Sequence, residues 1–122
     1  MTTPAAPDSP RPHRLSVDDY HRMAAAGILD EDARVELIEG AIIDMTPIGS
    51  RHAAAVKRLI HMLHQTVGES AIVSAQDPVI LNLHSEPQPD LALLRPREDF
   101  YQSGHPRPAD ILLIIEVADT SL

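Results

Sequence analysis

The chain has 122 residues and a formal net charge of −8 at pH 7. This length allows one domain with one hydrophobic core, and the absence of cysteine excludes disulfides, thiolate chemistry and cysteine-ligated metals. The acidic balance argues against a broad basic surface that binds nucleic acid nonspecifically. There is no long apolar run and no signal-peptide pattern, so we expect a cytoplasmic protein without membrane contact.

The N-terminus combines a proline-rich segment with the first helix signal. Residues 1–13 contain several prolines and few bulky apolar side chains, which predicts a disordered tail before a domain over residues 14–122. Ser16 is a suitable N-cap and Gly27 a suitable stop, so a short helix is predicted over about residues 16–26.

Residues 34–45 predict a β-hairpin. Two apolar segments meet at Glu39 and Gly40, where glycine can adopt the positive φ of a tight turn. The alternation of a strand places Glu36 and Glu39 on opposite faces, so either acid could point into a cleft. The alternative is that both are solvated hairpin acids.

The long central helix is predicted over about residues 50–67, with Ser50 as its cap and Gly68 as its stop. His61 and His64 lie three residues apart and could share a metal ion, but no HExxH pattern accompanies them, which favours surface histidines. Apolar residues recur at helical spacing and predict one stripe that packs against a sheet: Val56, Leu59, Ile60, Leu63 and Val67.

The C-terminal half is predicted to be extended. Strands are expected over residues 71–76, 78–83, 90–94 and 111–117, with a long loop over residues 95–109. The resulting order, α-β-β-α-β-β-β-β, predicts an α/β (α+β) layer arrangement with few helices.

Two acids mark the ends of the last two predicted strands. Asp90 follows a proline and opens an apolar run, whereas Glu116 lies near the end of a run that is apolar on both faces. Buried carboxylates need compensation, because desolvation costs several kcal/mol. Glu116 could reach solvent at the sheet's end or pair with Arg34 or Arg95. It could also converge with Asp90 and a hairpin acid to hold Mg²⁺, which prefers a few hard oxygen ligands.

Several motifs together resemble one known family. They occupy residues 15–20, 35–40, 86–90 and 115–121, with Pro47 and His52 between them. In this combination, residues 15–122 resemble the Uma2 (DUF820) restriction endonuclease-like proteins, a branch of the PD-(D/E)XK nuclease superfamily. The resemblance implies a restriction-endonuclease-like mixed β-sheet flanked by helices, and a final helix and strand that this sequence lacks.

The resemblance also implies an activity and a set of site residues. The implied function is a metal-dependent endonuclease that hydrolyses DNA phosphodiester bonds with Mg²⁺ or Mn²⁺, and a homodimer is a further expectation. Carried over by motif, Asp90 and Glu116 are metal ligands and Glu36 is a third acid. His52, which matches the histidine that opens the long helix, has a supporting role.

One departure from the superfamily motif affects the expected activity. The motif has a lysine two places after the central acid, whereas this chain has Ala118, and Lys57 is its only lysine. Arg51, beside His52, is the nearest guess for a substitute cation, although a fixed charge makes arginine a poor proton acceptor. We therefore expect weak metal binding, and DNA cleavage that is poor or absent.

Two other functions remain open from the sequence. The chain could be an inactive remnant that binds a partner through an exposed sheet edge. It could instead be a small ligand-binding or regulatory domain whose acids are structural.

Overall fold

The structure, a computed structural model, describes residues 9–118. Most of the predicted tail over residues 1–13 therefore lies outside the described residues, as do positions 119–121 of the last motif. Residues 9–13 have no helical or extended regular structure.

Helix α1, Val17–Ala25, begins with the predicted cap. The Ser16 hydroxyl accepts from the Asp19 amide at 3.0 Å, and the Asp19 carboxylate accepts from the Ser16 amide at 2.9 Å. These reciprocal bonds form a capping box, which satisfies amides that the helix itself cannot pair. They also hold the pKa of Asp19 below its ordinary value, through the backbone and then the side chain of Ser16.

The predicted hairpin is confirmed as strands β1, Val35–Ile38, and β2, Ala41–Asp44, which pair antiparallel. Glu39 and Gly40 turn the chain with φ values of 50° and 83°. A side chain on Gly40 would meet the backbone of Arg14 at 2.8 Å, so only glycine fits this close approach. The hairpin and α1 form a small core of Tyr20, Val35 and Leu37, against which Leu15, Val17, Leu29 and Ile42 pack.

Helix α2, Ser50–Val67, confirms the predicted long helix. Its cap is Gly49, and Ser50 is its first helical residue, so the predicted Ser50 cap is wrong. The helix ends at Gly68 with φ of 51°, as predicted. Val56 is the one buried member of the apolar stripe, and the other four members are half-buried. The stripe is therefore packed less deeply against the neighbouring strand than expected.

The second sheet is antiparallel and has three strands, in the order β3-β4-β5. Its strands are β3, Ile72–Ala75, β4, Leu91–Leu94, and β5, Ile111–Ile115. All four residues of the central strand β4 are buried. In the edge strand β5 the three middle residues, Leu112, Leu113 and Ile114, are exposed. The expected burial of this run on both faces is wrong, because within residues 9–118 β5 packs mainly against β4, whereas β3, the other edge strand, also packs against α2.

The strand predicted over residues 78–83 is not formed. Val79 and Ile80 are buried, but their amides donate to the carbonyls of Pro87 and Pro106. Proline has no N–H with which to return a bond, so a regular ladder cannot continue here. The segment over residues 95–109 is a loop, as predicted, until a short 3₁₀ turn, Pro108–Asp110, leads into β5.

The restriction-endonuclease-like α/β class is confirmed, with two helices and two antiparallel sheets in the described part. A bridge between Leu37 and Glu86 joins the hairpin to the segment that leads into β4. No helix within residues 9–118 is long and apolar enough to cross a membrane.

Candidate active site

Asp90 and Glu116 lie at the same end of the three-stranded sheet. Asp90 immediately precedes β4 and Glu116 immediately follows β5, and Leu91 is paired with Ile115 in the antiparallel register. The amide of Val117 donates to Asp90 Oδ2 at 2.7 Å. The two acids therefore lie at the ends of adjacent strands, as expected from sequence.

His52 holds the other oxygen of Asp90. It lies in the first turn of α2, and its Nε2 is 2.9 Å from Asp90 Oδ1. Both side chains are mostly buried, with exposed fractions of 15% and 16%. Asp90 is thus fixed from α2 on one side and from the end of β5 on the other, which orients its carboxylate before any ligand binds.

Glu36 is the hairpin acid that joins the site. Its Oε2 accepts from the amide of Gln88 at 2.9 Å, and the Gln88 side chain donates to the Val35 carbonyl at 3.4 Å. These bonds tie the hairpin to the segment just before Asp90. Glu39 instead lies exposed at the turn, with one oxygen 3.3 Å from Arg14, so it is a solvated hairpin acid.

Glu116 is exposed at the sheet's end, yet its environment disfavours its charge. Partial burial raises the pKa of Glu116, and the nearby charge of Asp90, followed by that of Glu36, raises it further. Neither Arg34 nor Arg95 forms an ion pair with Glu116 within residues 9–118, so the structure matches the alternative of exposure at the sheet's end and not that of an arginine partner. Arg95 instead donates to the Ala109 carbonyl at 2.9 Å.

A cleft of about 540 Å³ opens beside these residues, between the hairpin, the start of α2 and the end of the sheet. Its lining includes Glu36, His52, Asp90 and Val117. Arg34, Asp44, Gln76 and Gln88 also contribute. Three of the four residues predicted from sequence, Glu36, His52 and Asp90, therefore face one cavity, and Glu116 is adjacent to it through Val117 and Asp90.

A family model described as "Uma2: Putative restriction endonuclease" matches residues 17–122. The chain belongs to the Uma2 family. No curated protein and no solved structure matches it. The matched range contains all four predicted site residues.

The carboxylates at the sheet's end are ligands of the type that the metal expected from sequence prefers. Mg²⁺ binds carboxylate oxygens and keeps several positions for water or phosphate, so one or two carboxylates suffice. Asp90 and Glu116 would supply such a pair, and a cation would offset both the burial and the repulsion by Asp90 that raise the pKa of Glu116. No three acidic or histidine side chains within residues 9–118 are close enough to bind one ion together. The role of Glu36 as a third ligand stays a prediction.

The other basic residues named from sequence as metal ligands or substitute cations are not part of the cleft lining. His61 and His64 are exposed on α2, as expected for surface histidines. Lys57 and Arg51 are also exposed, and neither is part of the cleft lining.

Sequence reasoning missed the residues that position the site through the backbone. Gln88 lies within one of the family motifs, but its residue type does not indicate that its amide donates to Glu36. Gln76 has a left-handed backbone, with φ of 56°, and its amide approaches the carbonyls of Pro89 and Asp90 at 3.1 Å each. The sequence indicates only that Gln76 ends a predicted strand. Its left-handed backbone cannot be predicted from its residue type.

Proposed function

We propose that this Uma2 protein hydrolyses DNA phosphodiester bonds with the help of Mg²⁺ or Mn²⁺. The observation that carries the proposal is the convergence of Asp90 and Glu116 at one sheet end, beside a cleft that Glu36 and His52 also border. Family membership supports DNA as the substrate.

Each acidic or histidine side chain of the site has its own role in this proposal. Asp90 and Glu116 would hold the metal, and His52 keeps Asp90 in place through its 2.9 Å contact. Glu36, held by the Gln88 amide, adds a third acid on the hairpin side. When bound, the ion would offset charge on the phosphate and make a water molecule more acidic.

The proposal extends to assembly and location. Two copies of the site can cut the two strands of a duplex in one encounter, so a homodimer is part of the proposal, and sedimentation of the purified protein tests it. A cytoplasmic location is part of the proposal, because the proposed substrate, DNA, is present there.

The decisive experiment is cleavage of supercoiled plasmid by the purified chain with Mg²⁺ or Mn²⁺, and with EDTA. We expect slow, metal-dependent nicking that Glu116→Ala abolishes. Glu39→Ala is the matched control, because it removes an exposed acid at the hairpin turn and should leave cleavage unchanged. Equal activity in the two variants would contradict the assignment of Glu116.

A second candidate function rests on strand β5. Leu112, Leu113 and Ile114 are exposed at 46%, 48% and 36% on an edge strand. Exposed apolar edges readily pair with another chain. An inactive protein that binds a partner through this edge would show no cleavage with either metal, and Leu113→Lys would abolish the association.

A further inference from the structure

The acid-lined cleft needs a positive side chain if a DNA phosphate is to enter it, because phosphate contacts depend on Lys and Arg. Two basic residues line the cleft, Arg34 and His52, and His52 already contacts Asp90. We propose that Arg34 binds a phosphate of the DNA strand in the cleft. This inference rests on the proposed function and names the residue that contacts the substrate backbone.

The hairpin places Arg34 on the cleft side. The Met45 amide donates to the Arg34 carbonyl at 2.8 Å, which continues the β1–β2 ladder by one step beyond Val35. Side chains two residues apart on an extended strand share a face, so Arg34 lies on the same face as Glu36. Val35 and Leu37 occupy the opposite face and are buried in the core.

The guanidinium of Arg34 is available to a ligand. No ion pair and no side-chain hydrogen bond of Arg34 occurs within the part of the chain that the structure describes, whereas Arg14, Arg22 and Arg97 each contact an acid. The side chain is also exposed. Arginine suits this role because its planar fork can donate two parallel hydrogen bonds to a phosphate.

The local charges explain why one arginine would matter. The cleft lining carries three acids, Glu36, Asp44 and Asp90, in a chain whose net charge is −8. DNA is repelled by such a surface unless a cation lies at the point of approach. Sequence favours Arg51 as the substitute cation. Arg51 does not line the cleft, whereas Arg34 does, so Arg34 is the arginine placed to meet a phosphate there.

The experiment measures binding of a short fluorescein-labelled duplex by anisotropy, over a series of NaCl concentrations. All proteins carry Glu116→Ala, so that the duplex stays intact, and titrations are run with and without Mg²⁺. The reference is compared with added Arg34→Ala, Arg34→Lys or Arg51→Ala. Arg51→Ala is the matched control, because it removes an exposed arginine that does not line the cleft.

We expect Arg34→Ala to weaken binding roughly tenfold or more, as for loss of a charge-assisted hydrogen bond. The slope of log affinity against log salt should fall by about one. Arg34→Lys should keep the slope but bind less tightly, because an ammonium group lacks the planar fork. Arg51→Ala should match the reference.

The possible failures are distinguishable. If the unmodified chain cleaves plasmid but Arg34→Ala binds duplex as tightly as Arg51→Ala, the role of Arg34 is refuted and the proposed function stands. If the unmodified chain does not cleave and the reference does not bind duplex in either condition, the proposed function and the role of Arg34 are both overturned.

Discussion

Burial and the neighbouring charge of Asp90 both raise the pKa of Glu116. Its ordinary pKa is 4.5, and the folded protein raises it through burial and then through Asp90. Between pH 4.5 and the raised value, the folded state holds more protons than the unfolded state, so stability should fall as pH rises through this window. We expect Glu116→Gln to be more stable than the wild type at neutral pH in EDTA, with no difference below the ordinary pKa.

Urea unfolding at a series of pH values, followed by circular dichroism, measures this effect. Glu39→Gln is the control, because Glu39 is an exposed acid outside the cleft. A stabilisation by Glu116→Gln that is the same at every pH would show that the substitution acts through packing and not through charge.

Ala118 is the residue at which the chain departs from the superfamily motif. It lies two positions after Glu116 and is exposed, so a side chain can be added there without disturbing a core. We expect Ala118→Lys to raise metal-dependent cleavage on the order of 10²-fold, because lysine adds a positive charge and a proton donor beside the phosphate. Ala118→Met, similar in length but uncharged, is the control, and an equal gain from both would exclude a role for the charge.

The same residues show how far sequence could predict the site. Asp90 and Glu116 could be paired from sequence, because an acid at the end of an apolar strand is costly unless it has a use. The roles of Gln88 and Arg34 could not be predicted from sequence, since they depend on which side of the hairpin meets the end of the sheet. That relation is set by bonds between segments distant in sequence, such as the one between Gln88 and Glu36.

At the scale of the element, the sequence predicts the bounds of helix α2 almost to the residue, but it does not predict how deeply the helix packs. Val56 is 5% exposed, whereas Leu59 is half-buried and Met62 is 57% exposed. We expect Val56→Ala to cost about 2 kcal/mol of unfolding free energy and Leu59→Ala about 1 kcal/mol. Met62→Ala should change stability by less than about 0.5 kcal/mol. Chemical denaturation of the three variants tests this order, and a larger loss for Leu59→Ala would mean that its half-exposed position is covered in solution.

Two other elements show why periodicity alone was insufficient. Residues 78–83 have the composition of a strand, but the carbonyls that receive the Val79 and Ile80 amides belong to prolines. Strand β5 is formed as predicted, yet its middle residues are exposed, because among the described residues it packs mainly against β4 and lacks the helix that packs against β3. Local sequence gives a segment its tendency to be extended, whereas the hydrogen-bond partners that make it a strand, and its burial, depend on the whole fold.

At the scale of the whole molecule, a ligand that binds only the folded state must stabilise it. The proposed site links the hairpin, α2 and the three-stranded sheet through Glu36, His52, Asp90 and Glu116, so metal binding should raise the unfolding temperature of the entire domain. At a Mg²⁺ concentration ten times the dissociation constant, the gain is about 1.4 kcal/mol. Because the expected affinity is weak, millimolar Mg²⁺ will be needed.

Thermal unfolding with increasing Mg²⁺ measures this gain, with matched NaCl series to remove the effect of ionic strength. Asp90→Asn should eliminate the Mg²⁺-dependent shift, because the amide keeps the shape of the carboxylate but not its charge. His61→Ala is the control, since it disrupts the exposed histidine pair on α2 and should leave the shift intact. A shift that survives Asp90→Asn but disappears in His61→Ala would place the metal on the helix. A shift absent from the unmodified chain would favour the alternative in which the acids of this cleft are structural, with Asp90 serving to join α2 to the end of β5.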